Sequence, residues 1–277
     1  ANQLAIALLR IHMRQTTGRS IAGENYLRKK LVSRLPFSLT NSQNHALSEI
    51  VLNMGAKTRM VRLLHGDVGS GKTIVAFLAM LNAVESGEQA ALMAPTEILA
   101  AQHFRNLSKC LIGSGFSVAR LSGGMSESSR SQTMQALVGG AAHLVVGTHA
   151  LLQDPVVFRK LGLAIIDEQH RFGVYQRTQL RDKGWCPDVL VMTATPIPRT
   201  LAMTSYGDLD VSTIKDLPPG RRPVKTIARS DGRRDEVYRL IHHEIEAGRQ
   251  AYVVCPLVEE SDKVDLKAAK QTFDHLA

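Results

Sequence analysis

The amino-acid sequence has 277 residues, of which 44% are hydrophobic and 21% are charged. This composition is typical of a soluble globular protein with a buried core. No apolar run approaches the roughly 18 residues of a membrane-spanning helix, which argues against an integral membrane protein. The formal net charge of +9 favours nucleic acid or an anionic membrane surface as a partner, without choosing between them.

The three cysteines, Cys110, Cys186 and Cys255, lie far apart and form no CxxC pair. An odd and scattered set of this kind favours reduced thiols over a disulfide framework or a zinc site. The first residues also lack the apolar core and cleavage site of a signal peptide. We therefore expect a cytosolic protein.

The beginning of the chain is basic and is predicted to contain a helix and a linker. Leu4, Leu8 and Ile11 recur at helical spacing within residues 2–14, whereas residues 15–25 contain glycines and polar side chains. Two interpretations of the charge remain open, a solvated helix face beside a linker or a strip that faces DNA. Within residues 1–36 the only acidic residue is Glu24, and the basic residues are Arg10, Arg14, Arg19, Arg28, Lys29, Lys30 and Arg34.

From residue 36 onwards, short apolar runs alternate with amphipathic stretches of helical length. This alternation predicts a parallel β-sheet with helices on both faces. The predicted strands are VRLLH (61–65), AALMA (90–94), HLVVGT (143–148), LAIID (163–167) and VLVMTA (189–194).

A break in the pattern falls at DLPPGRRP (216–223), whose prolines and glycine continue neither a helix nor a strand. A helix over 235–247 and a strand over 251–257 are predicted to follow it. Together they look like the start of a second α/β domain, which one strand cannot complete. We therefore expect the sequence to be a fragment of a longer protein.

GDVGSGKT (66–73) matches the P-loop pattern and lies between a predicted strand and a predicted helix, the context that the motif requires. Its glycines allow successive backbone N–H groups to face the phosphates of a nucleotide, and the helix N-terminus adds to the attraction. Lys72 is expected to reach the β- and γ-phosphates, and the Thr73 hydroxyl is placed to bind Mg²⁺. The predicted nucleotide-binding residues of the loop are Gly66, Asp67, Val68, Gly69, Ser70, Gly71, Lys72 and Thr73.

LAIIDEQH (163–170) supplies the acidic residues that P-loop chemistry needs. The strand brings Asp167 to its carboxyl end, where doubly wound sheets bind their ligands. Asp167 is expected to hold Mg²⁺, and Glu168 to act as general base towards the attacking water. These two motifs predict hydrolysis of ATP.

LSGGM (121–125) looks like the signature of ABC transporters, but its position argues against that function. In transporters the signature closely precedes the acidic strand, whereas here another predicted strand (143–148) intervenes. We interpret LSGGM as a turn that follows a strand.

DEQH (167–170) and TAT (193–195) look like motifs II and III of superfamily 2 helicases, and the wider set of motifs resembles the bacterial RecG family of branch-migration helicases. The resemblance covers nearly the whole chain. The motifs that carry it are GDVGSGKT, MAPTEILAAQH (93–103), GTHALLQ (147–153), DEQHRFGVYQR (167–177), MTATPIPRTLAMTSYGDLD (192–210), LPPGR (217–221) and AYVVCPLVEES (251–261).

Two other functions remain as alternatives. The transcription-repair coupling translocase Mfd has a similar motor and shares TATPIPRT, but its acidic box reads DEEH and it lacks the stretch resembling AYVVCPLVEES. The other alternative is a P-loop switch that binds nucleotide and a protein partner without acting on DNA. The basic beginning of the chain and the TAT segment argue against it.

The resemblance implies roles for further residues. Gln43, in LPFSLTNSQ (35–43), would read the adenine edge, and Phe37 would pack near the base; a helix cap and a core aromatic are the competing interpretations. His170 would connect the γ-phosphate to the DNA track, unless it is an ordinary polar residue. Residues expected to contact DNA or to couple it to ATP are Thr96, Thr148, Thr193, Thr195 and Arg199.

The resemblance also implies the fold, the domains and the activity. We expect an α/β, RecA-like P-loop NTPase domain over 36–222, a basic helical link from a wedge domain over 1–35, and the beginning of a second RecA-like domain over 223–277. The whole protein would use ATP and Mg²⁺ to translocate on double-stranded DNA, reversing stalled forks and migrating Holliday junctions without sequence preference. It would be a monomeric, cytoplasmic, nucleoid-associated bacterial motor. The fragment alone would hydrolyse ATP weakly, because motifs V and VI lie outside it.

Overall fold

Runs of aliphatic residues form the strands of one parallel sheet. A computed structural model describes residues 18–153, 155–167, 187–194, 210–218 and 224–254. The chain divides into two units, Ala1–Arg221 and Arg222–Ala277. In the first unit the elements are α1 (Tyr26–Val32), α2 (Asn41–Met54), β1 (Val61–Gly66), α3 (Lys72–Glu85), β2 (Gln89–Met93), α4 (Glu97–Cys110), β3 (Val118–Leu121), α5 (Glu127–Gly139), β4 (Leu144–Gly147), a 3₁₀ helix (His149–Leu152), β5 (Leu161–Ile166), β6 (Asp188–Thr193) and β7 (Asp210–Ile214).

The seven strands within the described residues of the first unit follow the order β3-β4-β2-β5-β6-β1-β7. Every pair of neighbouring strands is parallel. All the carboxyl ends therefore lie at one edge of the sheet, the edge where parallel α/β folds bind their ligands. The predicted fold class and the five predicted strands are confirmed, with ends that differ by at most two residues.

The side chains of the strands alternate between two hydrophobic cores, one on each face of the sheet. Leu64, Leu92 and Ile165 pack into the core that includes α2, α3 and α4. Their neighbours in sequence, such as Leu63 and Ile166, pack into the second core beside α5. Both faces are covered, which is why these strands read as continuous apolar runs.

Sequence reasoning did not identify β7, the edge strand beside β1. Its sequence, DVSTI, is mostly polar, and three of its five residues are exposed. The strand pairs with β1 over five residues through the backbone. The buried side chain of Arg62 adds to this pairing, since it donates to the Ser212 hydroxyl at 2.8 Å and pairs with Glu49 at 3.5 Å. A polar network therefore stabilises an edge strand that has little apolar surface to bury.

The basic segment before α2 is fastened to the P-loop helix and its surroundings. Ile21 is buried, and its carbonyl accepts from the Asn82 amide of α3 at 2.9 Å. Arg19 pairs with Glu88 at 3.2 Å, and Arg34 donates to the Ile112 carbonyl at 2.8 Å. Lys29 and Arg34 are nevertheless exposed, so a solvated face and a DNA-facing strip both stay predictions. Arg10, Arg14 and the predicted helix over 2–14 lie outside the described residues.

The second unit contains a 3₁₀ turn (Asp231–Arg233) and α6 (Arg234–Glu246) within the residues that the structure describes. The predicted helix over 235–247 is therefore present. The predicted strand over 251–257 was wrong for its first four residues, which have no regular structure; Val254, for instance, is 91% exposed. A strand needs a neighbour to accept its backbone hydrogen bonds, and residues 224–254 contain no other strand.

No helix among the described residues is long and apolar enough to cross a membrane. Cys110, the cysteine that lies within them, is a free thiol, and burial raises its pKa.

Candidate nucleotide site and nucleic-acid interface

The candidate functional residues of the first unit gather at the carboxyl edge of its sheet. The P-loop follows β1, Thr193 ends the neighbouring β6, and Asp167 follows β5, the next strand along. His65 of β1 lies in register with Thr193 of β6. Thr96 follows β2 and Thr148 follows β4, so the two predicted DNA-contacting residues lie along the same edge beyond Asp167.

The P-loop forms a tight backbone turn between β1 and α3. Gly69 and Gly71 have φ angles of 74° and 90°. This left-handed backbone conformation is strained for residues that carry a Cβ atom, but not for glycine. A Cβ atom at Gly71 would also lie 2.2 Å from the Gln43 amide nitrogen. Only glycine therefore fits at this position, for conformational and for steric reasons.

Lys72 lies across the P-loop at the start of α3. Its ammonium group donates to the carbonyls of Gly66 at 2.7 Å and Asp67 at 3.0 Å, although the side chain is buried. The Ser70 hydroxyl oxygen is also buried and has no hydrogen-bond partner among the described residues. A loop with left-handed glycines, a helix N-terminus, a lysine and an unsatisfied hydroxyl fits the phosphate groups of a nucleotide.

Gln43 joins the start of α2 to the P-loop. Its side-chain oxygen accepts from the Thr40 backbone at 2.9 Å and completes a capping box, while its amide nitrogen donates to the Ser70 carbonyl at 2.7 Å. The side chain is 1% exposed. The helix-cap interpretation is therefore present in the structure, together with a direct contact to the loop expected to hold phosphate.

Phe37 is 45% exposed, so it is not a core aromatic residue. It lines an open pocket between α1 and α2 with a volume of about 1040 Å³, to which Arg28, Asn44 and Leu47 also contribute. Gln43 does not line this pocket. A stacking role for Phe37 beside the base remains a prediction.

Asp167 is held directly after β5 by its neighbours on both sides. Its backbone N–H donates to the Met93 carbonyl of β2 at 2.9 Å. Its carboxyl oxygen Oδ2 lies 3.0 Å from Nε2 of His103, a residue of α4. Both residues are buried, with 9% of Asp167 and 6% of His103 exposed. The carboxylate is therefore fixed in orientation at the edge of the sheet.

The oxygen donors expected for Mg²⁺, the Thr73 hydroxyl and the Asp167 carboxylate, are of the hard type that this ion prefers. The described residues contain no cluster of three or more His, Cys, Asp or Glu side chains that could hold a metal without help from a ligand. A site completed by phosphate oxygens and water fits this arrangement. Glu168 and His170 lie outside the described residues.

Thr96 caps the amino end of α4, where its side-chain oxygen accepts from the Leu99 backbone at 3.3 Å. The residue is half-buried, so its hydroxyl hydrogen remains available for a further acceptor. The sequence did not reveal that the LSGGM turn lies beside Thr96. The Gly124 backbone donates to the carboxylate of Glu97 at 3.0 Å, which brings the glycines of LSGGM next to the start of α4. The interpretation of LSGGM as a turn after a strand is confirmed, since β3 ends at Leu121.

Thr148, which is expected to contact DNA phosphate, is enclosed in this structure, and that contact stays a prediction. It is 2% exposed, and its backbone N–H already donates to the Leu121 carbonyl at 3.3 Å. Neither group reaches the surface in this structure, because the residue is enclosed between β3 and the 3₁₀ helix that it precedes. Thr193 is also buried, at 1% exposure, while Thr195 and Arg199 lie outside the described residues.

The parallel sheet, the P-loop after β1 and the acidic residue after β5 define a P-loop nucleotide-binding domain. The sequence model of the DEAD/DEAH box helicase family matches residues 40–204. The chain belongs to this family.

Relatives and a solved structure refine the resemblance. The chain is 49% identical to the ATP-dependent DNA helicase RecG of Acidithiobacillus ferridurans over 276 residues, which is 100% of this chain and 40% of that protein. It is 46% identical to RecG of Escherichia coli strain K12, with the same coverage of both chains. A structure of RecG bound to a three-way DNA junction superposes with a TM-score of 0.83 and 41% identity, over 99% of this chain and 36% of that one. The resemblance to RecG is confirmed, and the chain spans about 40% of the length of these relatives.

Proposed function

We propose that this chain is the ATP-binding part of a motor that translocates on double-stranded DNA and remodels branched DNA, such as stalled forks and Holliday junctions. The observation that carries the proposal is the likeness to RecG bound to a three-way junction, which extends over 99% of the chain. The P-loop and Asp167 supply the nucleotide chemistry that such a motor requires. We further propose that it works as a monomer in the bacterial cytoplasm, at the nucleoid, with no membrane partner.

In this proposal the chain's own residues bind and orient ATP. The P-loop backbone and Lys72 hold the phosphates, Gln43 reads the adenine edge, and Phe37 packs near the base. Thr73 and Asp167 hold Mg²⁺, which neutralises charge on the phosphates when bound. Glu168 then accepts the proton of the attacking water, and His170 connects the γ-phosphate to the coupling residues.

The same edge of the sheet would carry the DNA backbone. Thr96 offers a hydroxyl at a helix N-terminus, and contacts of this kind position a protein on DNA without reading sequence. Thr148 would act by supporting the loop after β4, since its own polar groups are enclosed. Thr193, Thr195 and Arg199 are proposed to couple this track to the nucleotide.

The test is the ATPase rate of the full-length gene product, with and without forked DNA, for the wild type and for Lys72→Ala. We expect forks to stimulate the wild type strongly and the variant to lose hydrolysis, because Lys72 is the cation beside the phosphates. Lys57→Ala is the matched control, since Lys57 is exposed and precedes the amino end of β1, whereas the P-loop follows the carboxyl end of that strand. It should behave as the wild type.

If forks leave the rate unchanged while ATP still binds, the nucleotide site remains and the branched-DNA function is excluded. DNA binding should also weaken steeply as salt rises, because contacts to phosphates release counterions. A binding constant that does not depend on salt would favour a protein partner instead.

A further inference from the structure

His103 occupies an unusual environment for a buried histidine. It lies on α4, is 6% exposed, and its Nε2 atom is 3.0 Å from Oδ2 of Asp167. Because an ionised carboxylate only accepts hydrogen bonds, Nε2 carries the hydrogen and donates. The other ring nitrogen, Nδ1, is buried and has no hydrogen-bond partner among the residues that the structure describes.

This environment argues against a purely structural role. A buried nitrogen without a partner loses the hydrogen bond that it makes to water in the unfolded chain, a cost that an aliphatic side chain of similar size would avoid. The polar contact that the ring does make is with Asp167, the residue proposed to hold Mg²⁺. Hydrogen bonds to a metal-binding carboxylate fix its orientation, and their removal typically weakens metal binding or activity about 10–100-fold.

His103 also lies where three functional elements meet. Its ring packs edge-to-face against Phe77 of α3, the helix that begins at Lys72, with centroids 6.2 Å apart. Its own helix begins at the Thr96 cap, seven residues earlier, and residues seven apart lie on the same helix face. The side chain therefore connects the helix proposed to contact DNA with the carboxylate proposed to bind the metal.

We propose that His103 is a positioning residue that orients the Asp167 carboxylate for Mg²⁺. This inference rests on the proposed function, because it takes Asp167 as a metal ligand. His103 itself touches neither nucleotide nor metal in this proposal.

The test measures binding of a fluorescent, non-hydrolysable ATP analogue to the full-length protein, once in Mg²⁺ and once in EDTA. His103→Leu fills the space without a donor, whereas the terminal amide of His103→Gln can still donate to Asp167. Mg²⁺ is expected to raise the affinity of the wild type for the analogue relative to EDTA. We expect His103→Leu to reduce this ratio of affinities about tenfold or more, the lower end of the range for lost hydrogen bonds to metal ligands. The affinity in EDTA should not change, and His103→Gln should retain most of the strengthening.

Phe104→Leu is the matched control, because Phe104 is the next residue of α4, half-buried against the same core. It should change thermal stability without changing the effect of Mg²⁺. Normal strengthening in His103→Leu would overturn the inference, and so would equal losses in Mg²⁺ and EDTA, which indicate a packing defect.

Failure of the underlying function gives a different result. If Mg²⁺ does not strengthen binding by the wild type, or if Asp167→Asn leaves the strengthening intact, then Asp167 is not the metal ligand and both proposals fail. A normal wild type, a deficient Asp167→Asn and an unaffected His103→Leu would overturn the role of His103 alone.

Discussion

Asp188 is a carboxyl group enclosed at the amino end of β6, on the edge of the sheet opposite the nucleotide site. Burial raises its pKa to about 7, although a hydrogen bond from the Met60 backbone at 2.7 Å and the charge of Arg59 act to lower it. Its second oxygen is buried without a hydrogen-bond partner among the described residues. The folded protein therefore holds a proton here that the unfolded chain, with the ordinary pKa of 3.8, releases.

This difference predicts a stability that falls as the pH rises. Between a pH of about 4 and about 7 the folded state binds more protons at Asp188 than the unfolded state does, so raising the pH favours unfolding. One pKa unit corresponds to about 1.4 kcal/mol. The free energy of unfolding above pH 7 should therefore be lower than at pH 4 by on the order of a few kcal/mol. Asp188→Asn removes the charge and keeps an oxygen for the Met60 N–H. Its unfolding free energy relative to wild type should therefore rise between pH 5 and pH 8.

Urea unfolding at the two pH values measures this difference. Glu24→Gln serves as the control, because Glu24 is an exposed carboxyl group of the same unit, and its difference from wild type should not vary with pH. If the curve for Asp188→Asn runs parallel to that of the wild type, Asp188 is ionised in the folded protein throughout this range.

Single residues also mark the limit of what the sequence could predict. The P-loop pattern identifies the residues around Lys72 because phosphate binding requires those types at that spacing. It could not reveal His103, because the contact with Asp167 joins residues 64 positions apart through packing of α4 on the sheet. Nor could the motif containing Thr148 show that its backbone N–H is already used by β3.

At the scale of elements, the start of α2 shows one side chain with two structural tasks. Gln43 caps its own helix through one atom and holds the P-loop through another. Gln43→Glu separates these tasks, since glutamate is equally suited to the capping box but cannot donate to the Ser70 carbonyl. We expect the variant to keep its helix and to bind ATP about tenfold more weakly, as the loss of a buried hydrogen bond worth about 1–2 kcal/mol predicts.

Titration with fluorescent ATP and GTP analogues measures the nucleotide affinity, and circular dichroism measures the helix content. A comparable loss for the two nucleotides would assign Gln43 to holding the loop, whereas a loss confined to ATP would support its reading of adenine. Gln43→Ala, which removes both tasks, should also lower the thermal midpoint. Unchanged affinity for both nucleotides in Gln43→Glu would contradict the proposed role at this site.

Elements with strong periodic patterns were predictable, and elements stabilised by polar contacts were not. The five central strands are buried on both faces, so their apolar runs identify them. The edge strand β7 lacks such a run, and the contact that adds to its backbone pairing joins Arg62 and Ser212, residues 150 positions apart. At 251–254 an apolar run led to the prediction of a strand that is absent, because the described part of this unit contains no neighbouring strand.

At the scale of the whole molecule, we propose that the described P-loop domain supplies one side of a catalytic site. In P-loop ATPases an arginine from another domain or partner stabilises the charge of the transition state and raises the rate by about 10³–10⁵. From the resemblance to RecG we propose that such an arginine lies in a second motor domain of the full-length protein, with motifs V and VI. This chain spans about 40% of the length of its relatives. Nucleotide binding and nucleotide hydrolysis should therefore separate in the 277-residue chain.

We expect the 277-residue chain to bind a non-hydrolysable ATP analogue within about tenfold of the full-length protein, because Lys72, Gln43 and the P-loop are all present. Its turnover of ATP with forked DNA should be lower by about 10³-fold or more, because we propose that the arginine that completes the site belongs to the second motor domain. Equilibrium binding and steady-state ATPase assays on both proteins, with Lys72→Ala of each as the background, measure the two quantities. Turnover by the 277-residue chain equal to that of the full-length protein would show that this chain contains every group the reaction needs. Loss of binding along with turnover would instead place part of the nucleotide site outside it.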